Sequence, residues 1–239
     1  MKSRAYMVIV GLVLTLALAV PALADTLTLN DYTLGYKTKI SYMSHREWVY
    51  TAEMDVSLQG GFDGTGYCVD PSQYIWKGSF NEYEFMAPSQ ANATNTDAIL
   101  TPGGGLLATW LLQEYAPGLG HNGPYGERVE ITALQLAIWE MITDEVWDLG
   151  SGNFLFYKAH ANSEVNRQIL ERVNFFLSNL PSSFTPEQTA RLDARNKIAA
   201  SPRHQDLAVG ASATPEPASL LLVTPALVGA IVLRRRRDS

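Results

Sequence analysis

The chain has 239 residues, 46% apolar and 18% charged, with 18 Gly and 12 Pro, which excludes a disordered, a collagen-like or a disulfide-stapled protein. Its formal charge is −6, but six of its 18 basic residues, Lys2, Arg4 and Arg234 to Arg237, lie at the two ends. The 12 basic and 22 acidic residues between 25 and 214 leave that stretch at −10, which argues against a basic nucleic-acid groove.

Residues 1–24 open with Lys2 and Arg4, continue through the apolar run Met7 to Val20 and end in Ala22, Leu23, Ala24. This is the pattern of a secretory signal with a small-x-small cleavage site, and it places the mature N-terminus at Asp25. The alternative, a membrane anchor, is disfavoured by the short apolar run and the Pro21 flank.

Residues 25–200 make one globular domain, followed by a polar linker at 201–214. In its first half, Trp48, Tyr50, Ala52, Met54, Val56 and Leu58 alternate with more polar positions, which predicts a strand with the even-numbered face buried. Shorter strands are expected around Tyr32–Met43, Gly66–Val69 and Tyr83–Met86. The second half reads as helix: Leu106–Tyr115 after a tight turn at Gly103–Gly105, then Thr132–Thr143. A third follows a Ser163 cap and is stopped by Pro181, and a last one opens at Thr185 with Pro186 and Gln188 in a capping box. Strands first and helices later predict an α+β fold, with an antiparallel sheet or sandwich in the N-terminal half and helices in the C-terminal portion.

The tail at 215–239 has three parts: Pro215, Glu216 and Pro217; the apolar run Ala218 to Leu233; and Arg234, Arg235, Arg236 and Arg237. The prolines keep the first part extended. The run, at about 1.5 Å per residue, reaches roughly 24 Å, marginal against a ~30 Å hydrocarbon core, and the arginines stop transfer. The arrangement resembles the PEP-CTERM sorting signal of Gram-negative, biofilm-forming bacteria. That resemblance implies an exosortase-type processing enzyme as a partner and transient residence in the inner membrane through 218–233. Delivery to the cell surface or extracellular matrix would follow. A plain tail anchor is the alternative.

Cys68 is the only cysteine of a chain that reads as exported, where thiols are ordinarily paired. It stands in Tyr67-Cys68-Val69-Asp70, and downstream the chain reads Gln135, Leu136, Ala137, Ile138, Trp139. These two motifs resemble the thioester domains of bacterial surface adhesins. The resemblance implies an internal thioester between the Cys68 sulfur and the Gln135 acyl group, with Tyr67, Asp70, Ala137, Ile138 and Trp139 around it. It implies a covalent adhesin, acting once per molecule, whose target is a surface-protein amine or a polysaccharide hydroxyl. The family pattern has threonine before the glutamine; here that residue is Leu134, with Thr132 two positions earlier. Helix-start N–H groups near Gln135 are expected to stabilise the tetrahedral intermediate, and Tyr67 and Trp139 to exclude water.

Alternatives remain open at this point. Thr132 and Gln135 also fit a capping box, in which the glutamine only satisfies a backbone N–H. Cys68 with His121 or His160 as base would make a cysteine hydrolase or transpeptidase. The many Tyr and Trp residues suit a non-covalent glycan-binding module. Four scattered histidines supply no metal spacing, Asp144, Glu145 and Asp148 read as a solvated helix end, and no cofactor motif is present.

Overall fold

The computed structural model describes residues 25–92, 98–99 and 101–211. The leader at 1–24 and the tail at 215–239 lie outside them. Strands β1 (Asp25–Tyr42) and β2 (His45–Leu58) form a long antiparallel hairpin turned at Met43 and Ser44, both at positive φ, as a two-residue hairpin turn of this hand requires. Strand β3 (Phe62–Cys68) returns along β2. On its other edge β1 pairs first with β4 (Gly78–Met86) and then, near its C-terminus, with β5 (Phe154–Lys158).

Two short strands, β6 (Asn196–Ala200) and β7 (Leu207–Ala211), span the gap between β4 and β3. The order is β2-β3-β7-β6-β4-β1-β5 with an additional β1–β2 pairing, so six of the strands close on themselves and leave few open edges. The fold is α+β, as expected, but the sheet is not confined to the first half of the chain. The expected linker at 201–214 is also corrected, because it contains β7, whose Leu207, Ala208 and Val209 are fully buried. Close approach of β7 to β3 depends on glycine: a Cβ at Gly64 would run into the Gly210 carbonyl.

The helices are α1 (Gly104–Tyr115), α2 (Glu127–Thr143), α3 (Ser163–Ser178) and α4 (Pro186–Arg195). Gly103, at φ 73°, turns the chain into α1, and the expected Thr185–Gln188 capping box opens α4. For α3 the cap is Asn162, whose side chain accepts from the Glu164 N–H, rather than Ser163. The larger correction concerns α2, which begins at Glu127, five residues before the expected Thr132.

Every residue of α2 from Val129 to Thr143 is buried, packed between β1, β2 and β5 on one side and α1 and α3 on the others. Its polar residues are therefore set among core side chains and need partners. One stripe, Arg128, Thr132, Gln135 and Trp139, follows the i, i+4, i+7, i+11 spacing of a single helix face. Arg128 donates to the Gly35 carbonyl. Thr132 accepts from the Tyr36 N–H at 2.7 Å and bonds the Thr51 hydroxyl at 3.0 Å. These contacts fix the rotation of α2 about its axis and so aim Gln135.

The far end of α2 carries a pH-sensitive group. Glu140 accepts the Asp148 N–H through Oε1, but its buried Oε2 has no partner. Burial, together with the charges of Asp144 and Asp148, pushes its carboxyl up to about 8. A folded-state value above the ordinary 4.5 means that the folded protein holds this proton more tightly than the unfolded chain does. Its contribution is complete below about 4.5 and is lost as pH rises through about 8. Urea midpoints at pH 5, 7 and 9 are expected to fall across that window, and Glu140→Gln to flatten the fall; a wild-type midpoint flat with pH would refute the assignment.

Candidate functional site

The C-terminal end of β3 delivers Cys68 to the Gln135 face of α2. The two residues are 67 positions apart and meet through a reciprocal pair of hydrogen bonds: the Cys68 N–H donates to Gln135 Oε1 at 3.2 Å, and Gln135 Nε2 donates to the Cys68 carbonyl at 2.7 Å. The carboxamide is thus docked flat against the backbone of the cysteine. Gln135 is 1% exposed and Cys68 3%, and the thiol is free.

Around this pair, Asp70 shapes the chain after β3. Its carboxylate accepts the Ser72 N–H and hydroxyl, forming an Asx turn. Its carbonyl accepts the Cys68 S–H at 2.9 Å and Gln205 Nε2 at 3.2 Å. Trp139, one turn beyond Gln135, is buried, and its indole N–H meets no acceptor at hydrogen-bond geometry. It nevertheless lies beside the Cys68 sulfur and favours the charged form there. Burial, then the Asp70 charge, outweigh it and the Asp70 N–H, so the thiol is held well above its usual range.

Cys68, Gln135 and Trp139 form the buried end of a cavity of about 720 Å³. Its exposed end is walled by β1, β2 and the segment between Pro71 and Lys77, with Tyr32, Trp48, Tyr50, Tyr74 and Trp76 all at least 40% exposed. The even-numbered face of β2 is therefore not buried throughout. Trp48 and Tyr50 are open, while Val49, Thr51 and Glu53 are buried on the other face, and burial passes to the even side only from Met54. The Cys68–Gln135 contact lies on residues the sequence had singled out. The aromatic rim gathers Tyr and Trp residues that are scattered in the sequence, and Tyr74-Ile75-Trp76, standing outside any expected strand or helix, is its one local signal.

Several expectations about the surroundings are corrected. Gln135 sits two turns inside α2, whose N-cap is Gly126, so the capping-box alternative does not hold and no helix-start N–H lies at its carbonyl. The donor on Oε1 is instead the N–H of Cys68 itself. Tyr67 belongs to the opposite face of β3: its hydroxyl donates to Glu53 Oε2 at 2.9 Å, and it is not in the cavity lining. Ala137 and Ile138 are fully buried in the core and support α2 without lining the cavity. Thr132 is bonded to Tyr36 of β1 and Thr51 of β2, which ties α2 to both strands.

Neither His121 nor His160 lines the cavity. His160 is exposed and packs against the Tyr36 ring, and His121 follows the turn at Pro117–Leu119. Asp144 and Asp148 fasten the loop after α2 by accepting backbone N–H groups of Asn153, Phe154 and Gly150. Among the described residues no group of three or more His, Cys, Asp or Glu side chains is placed to hold a metal ion.

No protein-family model matches this sequence, and no curated protein does. Among solved structures, the chain is similar to the N-terminal thioester domain of fibronectin-binding protein SfbI from Streptococcus pyogenes. The identity is 14% and the TM-score 0.42, with 75% of this chain and 95% of that chain covered.

Proposed function

We propose that Cys68 and Gln135 join in an internal thioester, and that the protein is an exported surface protein which uses it to capture an amine or hydroxyl of a partner covalently. The observation that carries this reading is the seating of the Gln135 carboxamide against the Cys68 backbone at the buried end of an open cavity. In the forming step the Cys68 sulfur adds to the Gln135 side-chain carbonyl carbon. Charge developing on Oε1 meets the Cys68 N–H, the thiol proton passes to Nε2, and ammonia leaves. A carboxamide is a poor acyl donor, so positioning has to supply the rate; effective molarities of about 10⁵ to 10⁸ M are available to well-aligned groups.

Cys68 and Gln135 are 3% and 1% exposed at the inner end of the cavity, which keeps bulk water from the thioester until a nucleophile enters. A captured amine or hydroxyl gives its proton to the departing sulfur and ends as an amide or ester on the Gln135 acyl group, with Cys68 a free thiol. The acyl group has no second leaving group of comparable quality, so the chain reacts once. Export, passage through the inner membrane on 218–233, exosortase-type processing and display at the surface or in the matrix of a Gram-negative bacterium belong to the same proposal. They rest on the leader and tail sequences.

Methylamine tests the reading. One equivalent per chain should become attached at Gln135, with release of one Cys68 thiol, as read by peptide mass mapping and thiol titration. Many turnovers with an unmodified chain at the end, or no adduct at all, would overturn it.

A further inference from the structure

The cavity that ends at Cys68 and Gln135 has a second feature, its wall of open aromatic rings. We infer that the cavity takes a neutral saccharide, stacked on the rings of Trp48, Tyr50, Tyr74 and Trp76, and that the nucleophile presented to the proposed thioester is a sugar hydroxyl rather than a lysine amine. This rests on the thioester reading for the covalent step only; the saccharide occupant stands on the cavity itself.

Four observations point to this occupant. A volume of about 720 Å³ lies within the ~300–1,000 Å³ of small-molecule sites, enough for sugar units to enter between the walls. Tyr50, Tyr74 and Trp76 are each more than 60% exposed, an unusual amount of open aromatic surface for one patch. Such flat faces suit the C–H faces of a pyranose, while its hydroxyls remain free to find polar partners. One is on hand, because Gln73 lines the cavity and its buried Oε1 has no hydrogen-bond partner.

Charge separates the two nucleophiles. Lys37 lies over the Tyr50 ring, Lys77 over Tyr32 and Lys158 over Trp48, at 5.3 to 5.7 Å from the ring centres. An incoming ammonium would meet these cations on the rings that would otherwise attract it. Of the residues lining the cavity, Lys77 carries the one fixed charge and is paired with Asp31, while the Tyr74 hydroxyl donates to Glu47 at 2.8 Å. A lysine arrives as an ammonium and must shed its proton to solvent before it can attack. A saccharide hydroxyl enters neutral. As its oxygen bonds to the Gln135 acyl carbon and the carbon–sulfur bond breaks, its proton goes to the Cys68 sulfur, leaving a sugar ester and a thiol.

The occupant is tested first on the Cys68→Ala protein, which cannot form a thioester, by tryptophan fluorescence with cellopentaose, maltopentaose and chitopentaose. At least one is expected to bind, about tenfold more weakly when Trp76→Ala is added and near the starting affinity with Trp76→Phe. Trp76 is exposed, so neither change threatens folding. The wild-type protein is then incubated with the saccharide that binds and, separately, with acetyl-lysine methylamide. The expected product is a saccharide adduct at Gln135 that hydroxylamine removes, formed about tenfold more slowly by Trp76→Ala and near the wild-type rate by Trp76→Phe. No binding by any of the three, binding indifferent to Trp76→Ala, or a hydroxylamine-resistant lysine adduct formed in preference would overturn the proposal. A wild type that binds saccharide but has lost no ammonia would sink the thioester and leave the saccharide occupant standing.

Discussion

Purified protein that has met no amine is expected to be lighter by one ammonia than its own sequence, and to show no free thiol until it meets a nucleophile. This is the largest effect the site predicts, because Cys68 is the chain's only cysteine and its titration goes from one thiol to none. Cys68→Ala and Gln135→Ala should each restore the full mass of their own sequence, since either removes one partner of the carbon–sulfur bond. Trp139→Phe keeps the packing of the ring but removes the indole N–H beside the sulfur, and should slow thioester formation without abolishing it. The same mass reads the terminal segments: a chain beginning at Asp25 and lacking the residues beyond Pro217 is expected, and a retained leader or tail would count against export and sorting. A wild type of full mass with a titratable thiol, never exposed to amine, would refute the thioester.

The second large effect lies in the support for α2. Arg172 of α3 donates through Nε to Glu130 Oε2 at 2.8 Å, both side chains nearly out of solvent, and its guanidinium packs over the Phe175 and Phe176 rings at 4.5 Å. Glu130 also accepts the Tyr125 N–H at 3.3 Å, which ties the loop before α2 to the same ion pair. Removing one member leaves a buried charge without its partner, and such losses cost about 3–5 kcal/mol. Native domains have only about 5–15 kcal/mol in total, so Arg172→Ala should remove a large part of the stability. The paired change Glu130→Leu with Arg172→Met removes both charges together and should cost far less. Urea midpoints of the single and paired variants check this; equal losses would show that packing, not the isolated charge, sets the effect. In the paired variant the Cys68–Gln135 contact should survive, because Thr132 and Arg128 still hold α2 against β1 and β2.

Much of this architecture can be read locally. The Thr185–Gln188 capping box needs only its own four residues to satisfy the first turn of α4, and it is present in the fold. The apolar spacing of Ile169, Val173, Phe176 and Leu177 marks the covered side of α3 whatever lies against it. The short strands β5, β6 and β7 carry no comparable mark. Leu207, Ala208 and Val209 are buried in succession, so period-two alternation is absent and their polar setting suggests a linker. The start of α2 was hidden for a related reason: Glu130 is polar in sequence but buried, its charge met by Arg172 forty-two positions away.

The sequence by itself determined that Cys68 is the only thiol, that Gln135 lies on a helix and that the chain is α+β, because composition and short-range periodicity depend on neighbours a few residues apart. Tertiary structure alone decided that the two side chains meet. Closure of the sheet through β6 and β7 sets the position of the end of β3, and bonds from Arg128 and Thr132 set the rotation of α2. It also decided that Trp48 and Tyr50 face an open cavity rather than a core. A period of two tells which side chains share a face of a strand, but which face is covered depends on the elements folded against it.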